Sequence, residues 1–260
     1  MKKKWKIMEY SCVAVFGVFI LGVLFSGCNV TGEDTPILDE DSQVALKSMS
    51  YLPEFPGAWE FVPGFTNEFV AFETGKVFVY EGETEDGMET IKVTVTDRTK
   101  EIKGVMTTVV TDTVWLDGEL MEATDDWFAE DNEGNVWYFG EYSEEWDDEE
   151  EEWSTEGSWE AGVDGALPGM LMPAHPKMGM KYQQEFYEDE AEDMAMVINL
   201  NKTVEIEYDT FEGCLETMEW TPLEPGGREH KFYAPGVGMV LELQPKGGRI
   251  MIELVSIEMP

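Results

Sequence analysis

Basic side chains are scarce in this 260-residue chain: 17 Lys and Arg stand against 55 Asp and Glu, for a formal charge of −38 and a pI near 4.1. A polyanion would meet a like-charged field, with no basic stripe to release counterions from its phosphates, so bare nucleic acid is excluded as a partner. Histidine is limited to His175 and His230. There is no H-E-x-x-H pair, no G-x-S-x-G elbow, no phosphate-cradling glycine loop and no activated-cysteine setting. The chain is therefore expected not to be an enzyme. Cysteine is almost as rare, at Cys12, Cys28 and Cys214. What is present is globular in kind, since 43% hydrophobic and 12% aromatic residues rule out a wholly disordered acidic chain.

The first 28 residues read as a processing segment. Lys2, Lys3, Lys4 and Lys6 form a basic start, and Cys12 to Phe25 carries no charge over 14 residues, a length that suits a signal peptide better than a bilayer span. The run ends at Phe25-Ser26-Gly27-Cys28, which resembles a bacterial lipobox, with Phe25 where that pattern prefers Leu. The resemblance implies a leader over 1–27 and diacylation of Cys28, tying the chain to the membrane through lipid. An uncleaved anchor helix is the alternative. Losing residues 1–27 removes four lysines and one glutamate, so 13 basic and 54 acidic side chains remain. With Cys28 acylated and Cys214 alone, no internal disulfide can form, and stability must come from packing. In the resemblance to sorted lipoproteins, Asn29 rather than Asp after the cysteine favours the outer membrane or the cell surface, within a cell-envelope location.

Residues 28–50 are polar and read as a tether, with one short helix near Asp39 to Met49. Residues 51–260 form the expected domain. Tyr51 to Phe65 mixes Pro and Gly with Phe55, Trp59, Phe61 and Phe65, an irregular aromatic cover for an open end of a sheet. From Phe69 to Glu160 the hydrophobic period is two, as in Ile91, Val93 and Val95, with hairpin dipeptides at Asp86-Gly87 and Asp117-Gly118 and a longer turn over 131–135. Glu144 to Glu152 holds eight acids in nine residues and reads as a solvated hairpin tip bracketed by Trp146 and Trp153. Gly162 to Met180 reads as a Gly/Pro-rich crossover, Glu190 to Met196 as one or two helical turns, and strands resume from Tyr182 to Ile257. Many short strands at about ten-residue spacing give the expected class: all-β, a single antiparallel sandwich or an incomplete, half-open barrel.

The block running from Asp126-Trp127-Phe128-Ala129 through Gly134-Asn135-Val136-Trp137-Tyr138-Phe139-Gly140-Glu141 resembles a family of exported bacterial β-rich proteins and lipoproteins. Glu156 to Gly165, Met172 to Pro176 and Tyr233 to Gly238 extend the resemblance, which brings no catalytic residues with it. The last of these blocks is also similar to the strand entry of curved half-barrel periplasmic proteins that carry lipid or lipoprotein, which implies a curved sheet.

Three constellations could carry function. Asp125, Asp126, Asp131, Glu133, Asp147 and Asp148 lie on strands and tips of adjacent hairpins, where carboxylates and turn carbonyls could supply the six to eight oxygens calcium needs. Their other reading is an αL turn on a hydrated surface. Met170, Met172, His175, Met178 and Met180 pair soft sulfur with an imidazole, as Cu(I) prefers, or simply fill a core. Phe139, Phe186, Ile198, Phe232 and Met239 are expected to line a concave face that an apolar ligand occupies or that Tyr51 to Phe65 fills. The preferred reading is a non-catalytic, envelope-anchored lipoprotein in a structural or binding role, with an acidic surface that meets divalent cations, calcium above all. A carrier of a lipid-like ligand is second. A glycoside-active enzyme, built on an acid pair among nine tryptophans, is third.

Overall fold

The computed structural model describes residues 51–84, 86–148, 151–223, 227–244 and 250–259. The leader, Cys28 and the tether with its expected helix lie outside the described residues. Sixteen strands follow in chain order: β1 (Phe61–Val62), β2 (Val77–Glu83), β3 (Met88–Ile102), β4 (Val105–Leu116), β5 (Glu119–Asp131), β6 (Val136–Asp147), β7 (Glu152–Ser154), β8 (Trp159–Glu160), β9 (Leu167–Met172), β10 (Lys181–Gln183), β11 (Glu185–Phe186), β12 (Met194–Glu205), β13 (Thr210–Trp220), β14 (Glu229–Ala234), β15 (Gly238–Gln244) and β16 (Ile250–Glu258). All named pairings are antiparallel.

The path through the sheet runs β10-β12-β13-β14-β15-β16-β2-β3-β4-β5-β6-β9-β11. Its two ends, β10 and β11, are consecutive pieces of one short stretch, Lys181 to Phe186. That stretch gives one piece to β12 and the other to β9, so it brings the sheet edges together into a nearly closed barrel. Closure removes the open edges that a half-open sheet would expose.

The long hairpins β2 to β6 follow the period-two pattern because β-branched residues alternate with polar ones: Ile91, Val93 and Val95 are buried while Lys92, Thr94 and Thr96 are not. Asp117 and Gly118 adopt φ of 49° and 85° in the β4–β5 turn, as that dipeptide favours. A further two-residue turn, Lys103-Gly104, separates β3 from β4 with φ of 50° and 80°. It forms without an Asx-Gly dipeptide.

Three expectations need correction. Gly162 to Met180 is not only a crossover, since β9 runs inside it; Gly169 lies so close to the Gln184 backbone that a Cβ would overlap the Gln184 carbonyl, and this near contact seats the strand. Glu190 to Met196 is not helical: Tyr187 bridges Ala191 and β12 already begins at Met194. Ile198 is half exposed while its neighbour Val197 is fully buried, so the core register of β12 lies one residue earlier. The aromatic segment before β2 sits at the end of the β5–β6 hairpin, where Phe61 and Val62 pair with Asp131 and Glu130, and Phe55 joins it there. Phe55 and Phe61 pack against Trp137 and Phe139 at ring-centroid distances of 5.5 to 6.3 Å, covering the face of β6 opposite Tyr138. Phe69 to Phe72 take the other side, where Phe72 meets Phe128 and Phe128 stacks on Tyr138 at 4.7 Å.

Candidate functional site

The block from Asp126 to Glu141 builds the β5–β6 hairpin, and its acids are held by protein donors. Asp131, buried at the turn, accepts from Glu133 N, Asn135 N, Asn135 Nδ2 and the indole Trp137 Nε1, at 2.8 to 3.0 Å. Glu130 accepts from Thr66 N, Thr66 Oγ1 and Asn67 N at 2.6 to 2.9 Å, fastening the segment that leads into Phe69. Asp125 takes both guanidinium nitrogens of Arg98 at 2.6 Å. The residues expected to gather around calcium are therefore dispersed. Asp126 is buried, Glu133 is exposed, and Asp148 accepts from Trp146 Nε1 at the hairpin tip, beside Asp147 and the Trp146–Trp153 pair. Among the described residues no group of three or more His, Cys, Asp and Glu side chains has the geometry to hold a metal. The sequence displays carboxylates but not the indole, amide and guanidinium donors that fold onto them.

The sulfur set is dispersed too. Met170 and Met172 are buried on β9, whereas His175 and Met178 are exposed in the following loop and Met180 is half buried. His230 Nδ1 instead meets Glu216 at 2.9 Å, a carboxylate it shares with Lys202.

The interior holds what the sequence reading missed, a set of buried acids. Asp112, Glu122 and Asp126 come from β4 and β5, Glu141 from β6, Glu185 from β11, and Glu219, Glu229 and Glu242 from β13 to β15. Lys231 is the basic side chain buried among them, 3.2 Å from Glu219, 3.8 Å from Glu229 and 4.0 Å from Glu242. Burial opposes its charge, but the surrounding carboxylates more than offset that, and its pKa is raised. Burial pushes Asp126 up to about 7 and carries Glu141 well above the ordinary carboxyl range, with the Glu185 charge adding to the latter. Tyr138 Oη lies 2.6 Å from both Asp126 Oδ1 and Glu141 Oε2. A hydroxyl has one proton to donate, so both short contacts are hydrogen bonds only when one of the two carboxyls is itself protonated. The hairpin thus keeps a proton inside the barrel. Alternation of polar residues in an otherwise β-branched run was the available signal, at Glu122-Ala123-Thr124 and Glu141-Tyr142-Ser143.

Of the five residues expected to line a concave face, Phe139, Phe186, Phe232 and Met239 are buried and Ile198 is half exposed. Phe139 lies under Phe55 and Phe61, while Met239 borders an apolar cavity of about 20 Å³ together with Phe69, Tyr80 and Tyr233. That is room for about one water.

A larger hollow of about 390 Å³ lies elsewhere, along the seam where β6 exchanges partners. β6 pairs with β9 through Val136 to Tyr138, with β8 through Gly140 and Glu141, and with β7 through Glu145 to Asp147. The changeover leaves a groove walled by Trp127, Tyr142, Trp159, Val163 and Tyr187, with Lys100 and Glu160 in its lining. Lys100 Nζ sits 3.2 Å from the Trp127 ring centroid and 2.8 Å from Glu160 Oε2. Glu141 also contributes to this lining, which puts the proton-holding chain at the groove's edge.

No protein-family model and no curated protein sequence matches the chain. Two crystal structures are similar to it in three dimensions. An exported protein with a YmcC-like fold from Bacteroides fragilis aligns with a TM-score of 0.44 at 16% identity, over 75% of this chain and 100% of that one. A lipoprotein from Parabacteroides distasonis aligns with a TM-score of 0.44 at 12% identity, over the same shares.

Proposed function

We propose that the chain is a non-catalytic, lipid-anchored binding protein of the bacterial cell envelope, which works from the outside of a filled barrel. One observation favours this over the carrier reading: the apolar cavity that Met239 borders has about 20 Å³, whereas the groove beside β6 has about 390 Å³. An acyl chain needs an enclosed apolar volume of several hundred Å³. The anchor is the acylated Cys28, with residues 29–50 as the reach between lipid and barrel. The acidic exterior takes up divalent cations, calcium foremost, as a dispersed counterion layer over Glu133, Asp147, Asp148 and their neighbours.

Two measurements test the proposal. Cys28→Ala should move the protein from the membrane fraction to the soluble one; retention after an alkaline wash would overturn the lipid anchor. Millimolar calcium should raise the melting temperature of the full chain above a sodium control of equal ionic strength, and chelator should reverse it, because a ligand bound by the folded state alone stabilises that state. An equal melting temperature in both salts would remove calcium from the reading.

A further inference from the structure

We infer that the groove beside β6 is a binding site for a short, uncharged saccharide, held through the Lys100–Glu160 pair and the apolar wall of Tyr142, Val163 and Tyr187. The inference rests on the outward-facing binding role proposed above and names its ligand.

The argument starts from what Lys100 leaves unused. Its ammonium has three N–H donors; one position lies over the Trp127 face and another is taken by Glu160 Oε2. Glu160 in turn keeps the lone pairs of its second carboxylate oxygen. Lys100 and Glu160 are each about one-third exposed, at 36% and 35% of their side chains, so the pair reaches the groove with a donor and an acceptor still to place. The cation–π contact and the ion pair hold these two groups side by side at 2.8 Å before any ligand arrives, which lowers the ordering cost of binding. Adjacent donor and acceptor sites match a vicinal diol, in which one hydroxyl oxygen accepts from the ammonium and the next hydroxyl donates to the carboxylate.

The wall supplies the other half of the recognition. Tyr142 and Val163 are 45% and 49% exposed, large apolar surfaces turned to solvent at the mouth of a concave site. A pyranose ring presents a C–H face to such a surface while its hydroxyls face the polar pair. A volume of about 390 Å³ suits one to three sugar rings lying along the seam.

Charge selects within this class. The chain carries −38 overall, and Asp164 also lies in the groove, so an anionic polysaccharide would be repelled on approach. A free ammonium ligand gains little, because Lys100 already occupies the Trp127 face and Glu160 at the high effective concentration of a covalently attached group. An uncharged polyol avoids both penalties.

The test is isothermal titration and tryptophan fluorescence on the purified full chain in detergent, using maltotriose, cellotriose and the trimer of N-acetylglucosamine, with free glycine and lysine as the competing class. At least one trisaccharide should saturate with a Kd in the range of roughly 0.1–10 mM. Val163→Arg, which fills the mouth from an exposed position, should weaken it at least about tenfold at unchanged melting temperature, and Lys100→Met should do the same by removing the donor. Three outcomes overturn the inference. If only the amino acids bind and Val163→Arg abolishes that binding, the groove is a site and the ligand class is wrong. If nothing saturates, the saccharide site fails, and outward binding keeps only its cation arm. If a trisaccharide binds equally to Val163→Arg, the site lies elsewhere.

Discussion

Asp131 shows how a single acid in this chain is turned inward on its own structure. Its carboxylate gathers two backbone N–H groups, an amide and an indole, and so pins the β5–β6 turn and orients Trp137 against Phe55 and Phe61 together. Asp131→Ala leaves the buried Trp137 N–H without its acceptor and frees the turn. Loss of that network should cost about 2–4 kcal/mol of unfolding free energy in urea titrations, with Asp131→Asn falling between. A loss below about 0.5 kcal/mol would show that the turn holds without it. The turn itself was legible in the sequence, because Asp, Asn and Gly accept its φ values. The carboxylate's partners were not, since Trp137 lies on the next strand and reaches back only once the hairpin has formed.

At the scale of elements, the long hairpins could be read from alternation and from Asx-Gly turns, and Trp146 with Trp153 does mark the strand ends of the acidic tip, where they face each other across β6 and β7. The short pieces could not be read. β9 contains Pro168 and Gly169, a pair that ordinarily signals a turn, yet here Gly169 is what lets β9 lie against the closing stretch at Gln184. Gly169→Ala places a methyl group into that backbone and should destabilise the chain by about 2–4 kcal/mol in chemical denaturation. Gly227→Ala, with open space around it and no positive φ, should stay within about 0.5 kcal/mol. Equal stability of the two variants would mean that β9 and the closing stretch are not in close contact.

Across the whole molecule, the buried acids make stability depend on pH with a definite sign. Burial raises Asp126 and Glu242 to about 7 and Glu145 to about 8, so the fold retains protons that the unfolded chain releases above the ordinary carboxyl range near 4. The associated stability is complete below that range and is lost as pH rises through about 7 to 8. The melting temperature should therefore fall by several degrees between pH 5 and pH 8, and Asp126→Asn and Glu242→Gln should each flatten the slope. Amide protection over Lys181 to Phe186 should fall in the same window. Glu185 is fully buried there with neither carboxylate oxygen hydrogen-bonded, and burial together with the Asp193 and Asp126 charges raises its pKa well above the usual range. A melting temperature that is flat or rising from pH 5 to pH 8 would contradict this account of the interior.

Local chemistry was enough to set the all-β class and the antiparallel hairpins, because alternation and turn dipeptides act within a few residues. Tertiary structure alone decided the rest. Closure depends on six residues giving one piece to the strand before them and the other to the strand after them, the inward acids depend on which face each strand turns to the barrel, and the groove exists because β6 takes three successive neighbours along its length. Each of these is a relation between segments brought together only by folding, and the local pattern of neither segment carries it alone.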